Sequence, residues 1–318
     1  MPIVKSSTYK APWWSRNGHV ATIIPSLFKK VEGVNYSRER IDTPDDDFMD
    51  LDWLRSGNEN LLLLAHGLEG SADRHYMKSP AKFFHAKGWD AVAWNSRTCS
   101  GEMNRVKRLY HHGATDDLET VVNYINTHYS YKRIVLAGFS MGGSLILKYL
   151  GEREPNLPEN IDRAVTFSVP CHIKSSALEL SKSSNRFYRR RFLSKLKEKI
   201  RLKAERFPDE IDVTDIDKID HFPDFEERYT APLHGFKNAD DFYGKVSAHQ
   251  FLETIPVKTL IVNAINDPFF PEACYPVAIV EKLKNVYLEM PKHGGHVGFS
   301  LKGGKSWMDQ RIWEFVNS

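Results

Sequence analysis

The chain has 318 residues, 41% of them hydrophobic and 27% charged, with a formal net charge of +3. That length and composition suit a soluble globule with a sizeable core, and so small a net charge gives no argument for nucleic-acid binding. No stretch approaches the roughly 18 apolar residues of a membrane span, and Cys99, Cys171 and Cys274 are too few and too scattered for a disulfide framework or a metal-type pair.

In chain order, the N-terminal Met-Pro-Ile-Val-Lys-Ser-Ser lacks the apolar core of a secretory signal, so a cytoplasmic location is expected. Tyr36–Ile41 and Phe48–Leu54 flank Thr43-Pro-Asp-Asp-Asp47 and predict a hairpin through a polar turn. The acidic turn lacks the glycine and terminal glutamate of an EF-hand calcium loop, so no metal is assigned to it. Strand-like Leu61–Ala65, a helix near Tyr76–Ala86, strand-like Trp89–Trp94, a helix from Thr115 to about His128 and strand-like Ile134–Ala137 follow. This βαβ alternation predicts a mostly parallel central sheet flanked by helices. After a strand at Ala164–Val169 the alternation stops, and residues 172–250 read as a charged helical cap inserted between two parts of one core, 1–171 and 251–318. Alternation resumes with Lys258–Ala264, a helix around Val277–Lys284, a strand at Val286–Met290 and a terminal helix at Trp307–Val316.

Within the cap, Lys182–Arg206 carries eleven Lys/Arg against two glutamates, with Phe192, Leu193, Leu196 and Ile200 at helical spacing. A basic amphipathic helix leaves peripheral membrane contact open. The acidic stretch Asp209–Glu227 can neutralise it, so a solvated cap helix is the expectation.

The chemistry centres on Gly138-Phe-Ser140-Met-Gly142-Gly143, which lies between a strand-like and a helix-like run. This is the pattern of a nucleophile elbow, where a strained turn lifts a serine hydroxyl above the sheet. Serine is a weak nucleophile near neutral pH, so Ser140 needs a histidine base, and the histidine a carboxylate that fixes its tautomer. In the order Ser…Asp…His both partners should follow later strands. Asp267, in Asn266-Asp-Pro268, does so, whereas the competing Asp240 and Asp241 fall in the cap. His296 is preferred to His293 because Gly294 and Gly295 let its backbone approach the nucleophile. The backbone N–H groups of Leu68, in the glycine loop after Leu61–Ala65, and of Met141 are the expected oxyanion donors. His66 is read as a loop-shaping residue, and the His-x4-Asp strings at His85–Asp90 and His112–Asp117 as chance matches. The aromatics Phe187, Tyr188, Phe222, Phe225, Phe236, Phe242, Tyr243, Phe269 and Phe270 would form an acyl slot if several faced the elbow.

Further stretches extend the picture: Trp14-Ser-Arg-Asn-Gly-His19-Val-Ala-Thr22, His66-Gly-Leu-Glu-Gly70, Asn95-Ser-Arg97-Thr-Cys-Ser-Gly101-Glu102, Tyr110-His-His-Gly113-Ala-Thr-Asp116, Tyr229-Thr-Ala-Pro-Leu-His-Gly235-Phe236 and Gly295-His296-Val-Gly298-Phe299. With the elbow and Asn266-Asp267-Pro268 they resemble the YheT-like branch of the α/β-hydrolases. That branch includes bacterial esterases, monoacylglycerol lipases, phospholipases and medium-chain ester synthase/esterases. The resemblance implies an α/β-hydrolase fold, Ser140, Asp267 and His296 as triad, and Leu68 and Met141 as oxyanion donors. It implies a small-molecule or lipid-like ester as substrate; the serine chemistry itself calls for no cofactor and no metal, and the small net charge gives no reason to expect a nucleic-acid partner. Two departures stand out: the membrane anchor of eukaryotic members is absent from this sequence, and Ser96-Arg97-Thr98 replaces the more usual His-Arg-Gly. The expected activity is serine carboxylic-ester hydrolysis on short- to medium-chain acyl esters; acyl transfer to an alcohol and non-catalytic ligand binding are the alternatives.

Overall fold

Apolar runs set the frame. A computed structural model describes residues 2–318, and in it nine strands form one sheet: β1 (Ile3–Val4), β2 (Ser37–Asp42), β3 (Phe48–Leu54), β4 (Asn60–Ala65), β5 (Asp90–Asn95), β6 (Arg133–Phe139), β7 (Ile161–Phe167), β8 (Lys258–Val262) and β9 (Val286–Glu289). Their order is β1-β9-β8-β7-β6-β4-β5-β3-β2, parallel except where β3 pairs antiparallel with β2 and β5. The run Leu61–Leu64 is buried on both faces because successive side chains point to opposite sides of a strand. Leu61 and Leu63 enter the core packed by α3 (Thr115–His128) and α4 (Met141–Glu152). Leu62 and Leu64 enter the core packed by α2 (His75–His85) and the terminal helix α11 (Trp307–Val316).

The hairpin forms as the turn predicts, with Ser37 opposite Trp53 and Asp42 opposite Phe48. Its outer strand carries Arg38 and Arg40, each in a two-pronged pair with the facing Asp52 and Asp50.

Two elements depart from expectation. An unanticipated helix, α1 (Gly18–Phe28), begins at Asn17, whose side chain accepts hydrogen bonds from the amides of His19 and Val20. The helix expected over Val277–Lys284 is a single turn, α10 (Val277–Val280), followed by turns into β9.

Between β7 and β8 lie α5 (Ile173–Leu180), the 21-residue α6 (Arg186–Arg206), α7 (Phe222–Phe225), a π-helical turn at Glu226–Thr230, α8 (Ala231–Leu233) and α9 (Ala239–Val246). They enclose their own apolar cluster, which includes Leu193, Ile200, Phe222 and Phe242 and reaches Phe269 and Phe270 after β8. The basic run is only partly a solvated face. Arg189 and Lys203 are buried, Arg189 pairing with Asp220 and Lys203 donating to the carbonyls of Asn104 and Val106. Arg201 pairs with Asp217 across the acidic stretch.

Candidate active site

β4 has β5 on one side and β6 on the other, so the chain order reverses there, and a crevice opens at the carboxyl ends of the strands. Ser140 stands at the end of β6 with φ 53° and ψ −117°, a conformation non-glycine residues rarely adopt and one that functional turns retain. Its amide donates to the Phe167 carbonyl at 2.8 Å, holding the turn against β7. Gly142 is required by space: a Cβ there would lie 2.3 Å from the Ala65 carbonyl oxygen.

The structure brings Ser140, Asp267 and His296 into one chain of hydrogen bonds. His296 Nε2 is 2.9 Å from Ser140 Oγ, and His296 Nδ1 is 2.8 Å from Asp267 Oδ2. With the proton on Nδ1, Nε2 is free to accept from the serine hydroxyl. Asp267 is buried, and its second oxygen accepts from the Phe269 amide at 2.9 Å. The histidine loop is fixed on three sides. The His296 amide donates to Thr22 Oγ1 on α1, that of Gly295 to Asn266 Oδ1, and that of Val297 to Ser168 Oγ. Val297 sits at φ 55°, an outlying conformation for a β-branched residue that these bonds over-determine. The rejected candidates lie elsewhere: His293 Nδ1 faces the Arg16 carbonyl, Asp240 pairs with Lys174, and Asp241 with Lys245.

Leu68 and Met141 flank the serine. Leu68 lines the cleft beside Ser140, and Met141 opens α4, whose N-terminal dipole favours negative charge. The amides of both donate to no other group among the described residues. The Leu68 loop is held from two directions. His66 is buried, with Nδ1 on the Gly67 carbonyl at 2.7 Å and Nε2 accepting from the Ser96 amide at 3.1 Å. Burial pushes its pKa down to about 4, so the ring is neutral, as this bond pattern requires. On the other side Glu69, at φ 54°, accepts from Tyr110 Oη at 2.6 Å and from Lys199 Nζ of α6 at 2.8 Å.

The cleft has two arms that share Leu68, Ser140, Phe192, Phe269 and His296. One, of about 700 Å³, runs past Ile23, Arg74, Phe187, Tyr188 and Arg191. The other, of about 490 Å³, runs between Ile173, Ala177, Leu180, Phe222 and Phe270. Of the nine singled-out aromatics, five therefore reach the cleft, while Phe225, Phe236, Phe242 and Tyr243 belong to the packing behind it. Two residues of the second arm carried no sequence signal for this place. Glu226 is buried on the π-helical turn, bonded to Tyr243 Oη, with its pKa pushed up to about 8 by burial. His112 lines the same arm, its pKa pushed down to about 4 by burial. Asp117 of the same His-x4-Asp string is bound to Arg97, and Asp90 caps the Ser56–Asn58 turn.

Among the described residues, no group of three or more His, Cys, Asp or Glu side chains could hold a metal, and no helix is long and apolar enough to cross a membrane.

Residues 60–182 match the family model described as the alpha/beta hydrolase fold. Among solved structures, an esterase of Pyrococcus furiosus, Pf2001, superposes with a TM-score of 0.60 at 17% identity, over 91% of this chain and 95% of that one. Human phospholipase ABHD3 is 28% identical over 332 residues, covering 100% of this chain and 80% of its own. YheT of Escherichia coli (strain K12), provisionally named an esterase, is 30% identical over 312 residues, covering 95% of this chain and 91% of its own. A likeness that runs through nearly all of both chains is more than a shared turn or half a domain: the chain belongs to the YheT-like branch of the α/β-hydrolase family.

Proposed function

We propose that the protein is a serine carboxylic-ester hydrolase. The observation that carries the reading is the continuous hydrogen-bonded path Asp267–His296–Ser140 opening into an aromatic-lined cleft. Ser140 Oγ attacks the acyl carbonyl as His296 Nε2 accepts its proton, and Asp267 holds the ring tautomer and stabilises the imidazolium. The carbonyl oxygen takes up negative charge between the amides of Leu68 and Met141, which are preorganised and have no competing acceptor. His296 then passes its proton to the departing alcohol. Water, deprotonated by His296, cleaves the acyl-enzyme to release the acid and restore Ser140. Residues 172–250 act as a cap over a core built from 1–171 and 251–318, and the aromatics they contribute select short- to medium-chain acyl groups.

The test is release of nitrophenol from p-nitrophenyl esters of graded acyl length by the protein and by Ser140→Ala. Turnover with an optimum in acyl length is expected, and its loss by about four orders of magnitude or more in the variant. Activity retained in the variant would remove Ser140 from its role.

A further inference from the structure

The first arm of the cleft carries two arginines that pair with no carboxylate among the described residues. Arg74, immediately before α2, and Arg191, on α6, line it beside Ser140 and His296. Both are half-buried, and neither has a carboxylate oxygen within 4.0 Å among the described residues. Lys195, one helical turn after Arg191, is also half-buried and also lacks such a partner. The other buried or half-buried cations of α6 differ: Arg189 is paired with Asp220 and Lys199 with Glu69, while Lys203 is satisfied by backbone carbonyls; Arg186 and Arg190, which also lack a partner, are exposed to solvent.

The three unpaired cations also feel one another. Burial and then the charge of Arg74 depress the pKa of Arg191. Burial also depresses that of Lys195, where the charges of Arg74, Arg191 and Lys199 act against that of Glu69. Glu69 is itself held by Lys199 and Tyr110. Half-desolvated like charges around an open cleft are unfavourable in the free protein, and an anion between them removes that cost. Guanidinium groups present planar, two-pronged donors that match the paired oxygens of phosphate and carboxylate.

The second arm differs in kind. Ile173, Ala177, Leu180, Phe222 and Phe270 line it, and apart from the shared His296 its titratable side chains are Glu226 and His112, in each of which burial disfavours the charged form. A hydrocarbon fits there and an anion does not. The two arms meet at Ser140, so an ester bond placed at the serine sends one substituent into each.

We propose that Arg74 and Arg191, reinforced by Lys195, form a subsite for an anionic group, phosphate or carboxylate, carried on the alcohol side of the ester, with the acyl chain in the second arm. The proposal rests on the ester-hydrolase reading. Hydrolysis adds water across the acyl–oxygen bond, and the alcohol leaves with its anionic group intact.

Matched pairs of water-soluble esters test it. Hexanoylglycerol 3-phosphate is compared with hexanoylglycerol, and hexanoyloxyacetate with hexanoyloxyacetamide, so that the two pairs distinguish phosphate from carboxylate. In the wild type the charged member of at least one pair is expected to have a kcat/KM about tenfold or more higher, since charge-assisted hydrogen bonds of this kind are worth that much. The preference should lie in KM and shrink at about 0.5 M salt. It should fall towards parity in Arg74→Gln/Arg191→Gln and return in part in Arg74→Lys/Arg191→Lys. No preference for either charged ester, or a preference that survives the glutamine substitutions, overturns the subsite while leaving ester hydrolysis standing. If the wild type cleaves none of the four, the hydrolase reading fails separately. Calorimetric titration with glycerol 3-phosphate and with glycolate then decides the subsite: saturable binding lost in Arg74→Gln/Arg191→Gln upholds it, and no binding overturns it.

Discussion

Arg97→Met removes one cation from among three carboxylates. The guanidinium reaches Asp47 at 2.6 Å, Asp117 at 2.8 Å and Asp45 at 3.0 Å, and the side chains of Arg97, Asp47 and Asp117 are 2%, 0% and 2% exposed. Methionine fills similar volume but leaves two buried carboxylates without their counter-charge, a change that costs about 3–5 kcal/mol. The lower end applies, because both acids keep other partners. Asp47 retains Asn104 and the Arg105 amide, and Asp117 retains Arg108 at 3.7 Å and the N-terminal turn of α3. At an unfolding entropy of about 2.1 cal/mol/K per residue, a loss of about 3 kcal/mol lowers Tm by roughly 4–5 °C. The deficit should depend on pH. In the wild type, burial pushes Asp45 and Asp47 up but their hydrogen bonds, including those from Arg97, reverse this and leave both below the usual range. Their contribution is therefore present above the unfolded carboxylate pKa and lost as pH falls through the folded values. Burial leaves Asp117 raised in spite of Arg97. Without Arg97 all three folded values rise, so the ionised groups become a cost at neutral pH that protonation relieves. Calorimetric scans should show the widest gap to wild type near pH 7.5 and a narrower one towards pH 5. A Tm within about 1 °C of wild type at neutral pH, or a deficit that does not change with pH, would refute the reasoning.

Asp267→Asn should lower kcat on a p-nitrophenyl ester by about 10⁴, because the amide favours the wrong tautomer of His296; a loss below tenfold would exclude Asp267 as the orienting acid. Gly142→Ala places a methyl group 2.3 Å from the Ala65 carbonyl, and the rigid backbone on both sides should turn this into about 3 kcal/mol or more of lost stability. An unfolding midpoint unchanged in urea would show that the turn can yield. Lys199→Leu leaves Glu69 buried beside Leu68 without its cation, so Tm should fall and, if Leu68 serves as the proposed oxyanion donor, kcat should drop about tenfold as its loop loosens. Adding Glu69→Gln should recover part of the Tm; no recovery would show that the ion pair is not what holds the loop.

The sheet was legible because its central strands are continuous apolar runs bounded by turn residues, as at Leu61–Ala65 and Ile134–Ala137. The neighbourhood of Ser140, Asp267 and His296 was legible because each follows a strand at the same edge of the sheet, so parallel order alone brings them together. α1 was not. It contains Gly18 and Pro25, and its place is set by contact with Asn266 and the histidine loop some 250 residues later rather than by its own periodicity. The acidic run read only as a polar hairpin turn and Arg97 only as part of a departure from the family's His-Arg-Gly, because nothing local links residues some 50 apart; the tertiary fold joins them in one ion cluster. Charge counting likewise suggested a solvated face on α6. Lys199 and Lys203 point inward because long aliphatic stems let an ammonium group reach a buried acceptor, which counting cannot detect.

The outermost strands determine how the sheet behaves towards other chains. Open sheet edges are templates for further strands, and a nine-stranded sheet has two of them. On one side β1 is only two residues long, too short to seat a newcomer in register. On the other, β2 has the sequence Ser-Arg-Glu-Arg-Ile-Asp, its arginines already committed to Asp50 and Asp52 of β3. A strand adding there would have to displace or desolvate these charges before gaining its first backbone bonds. The same residues that fasten the hairpin thus protect a hydrophobic sheet from growing by edge-to-edge association, including while the chain is still folding.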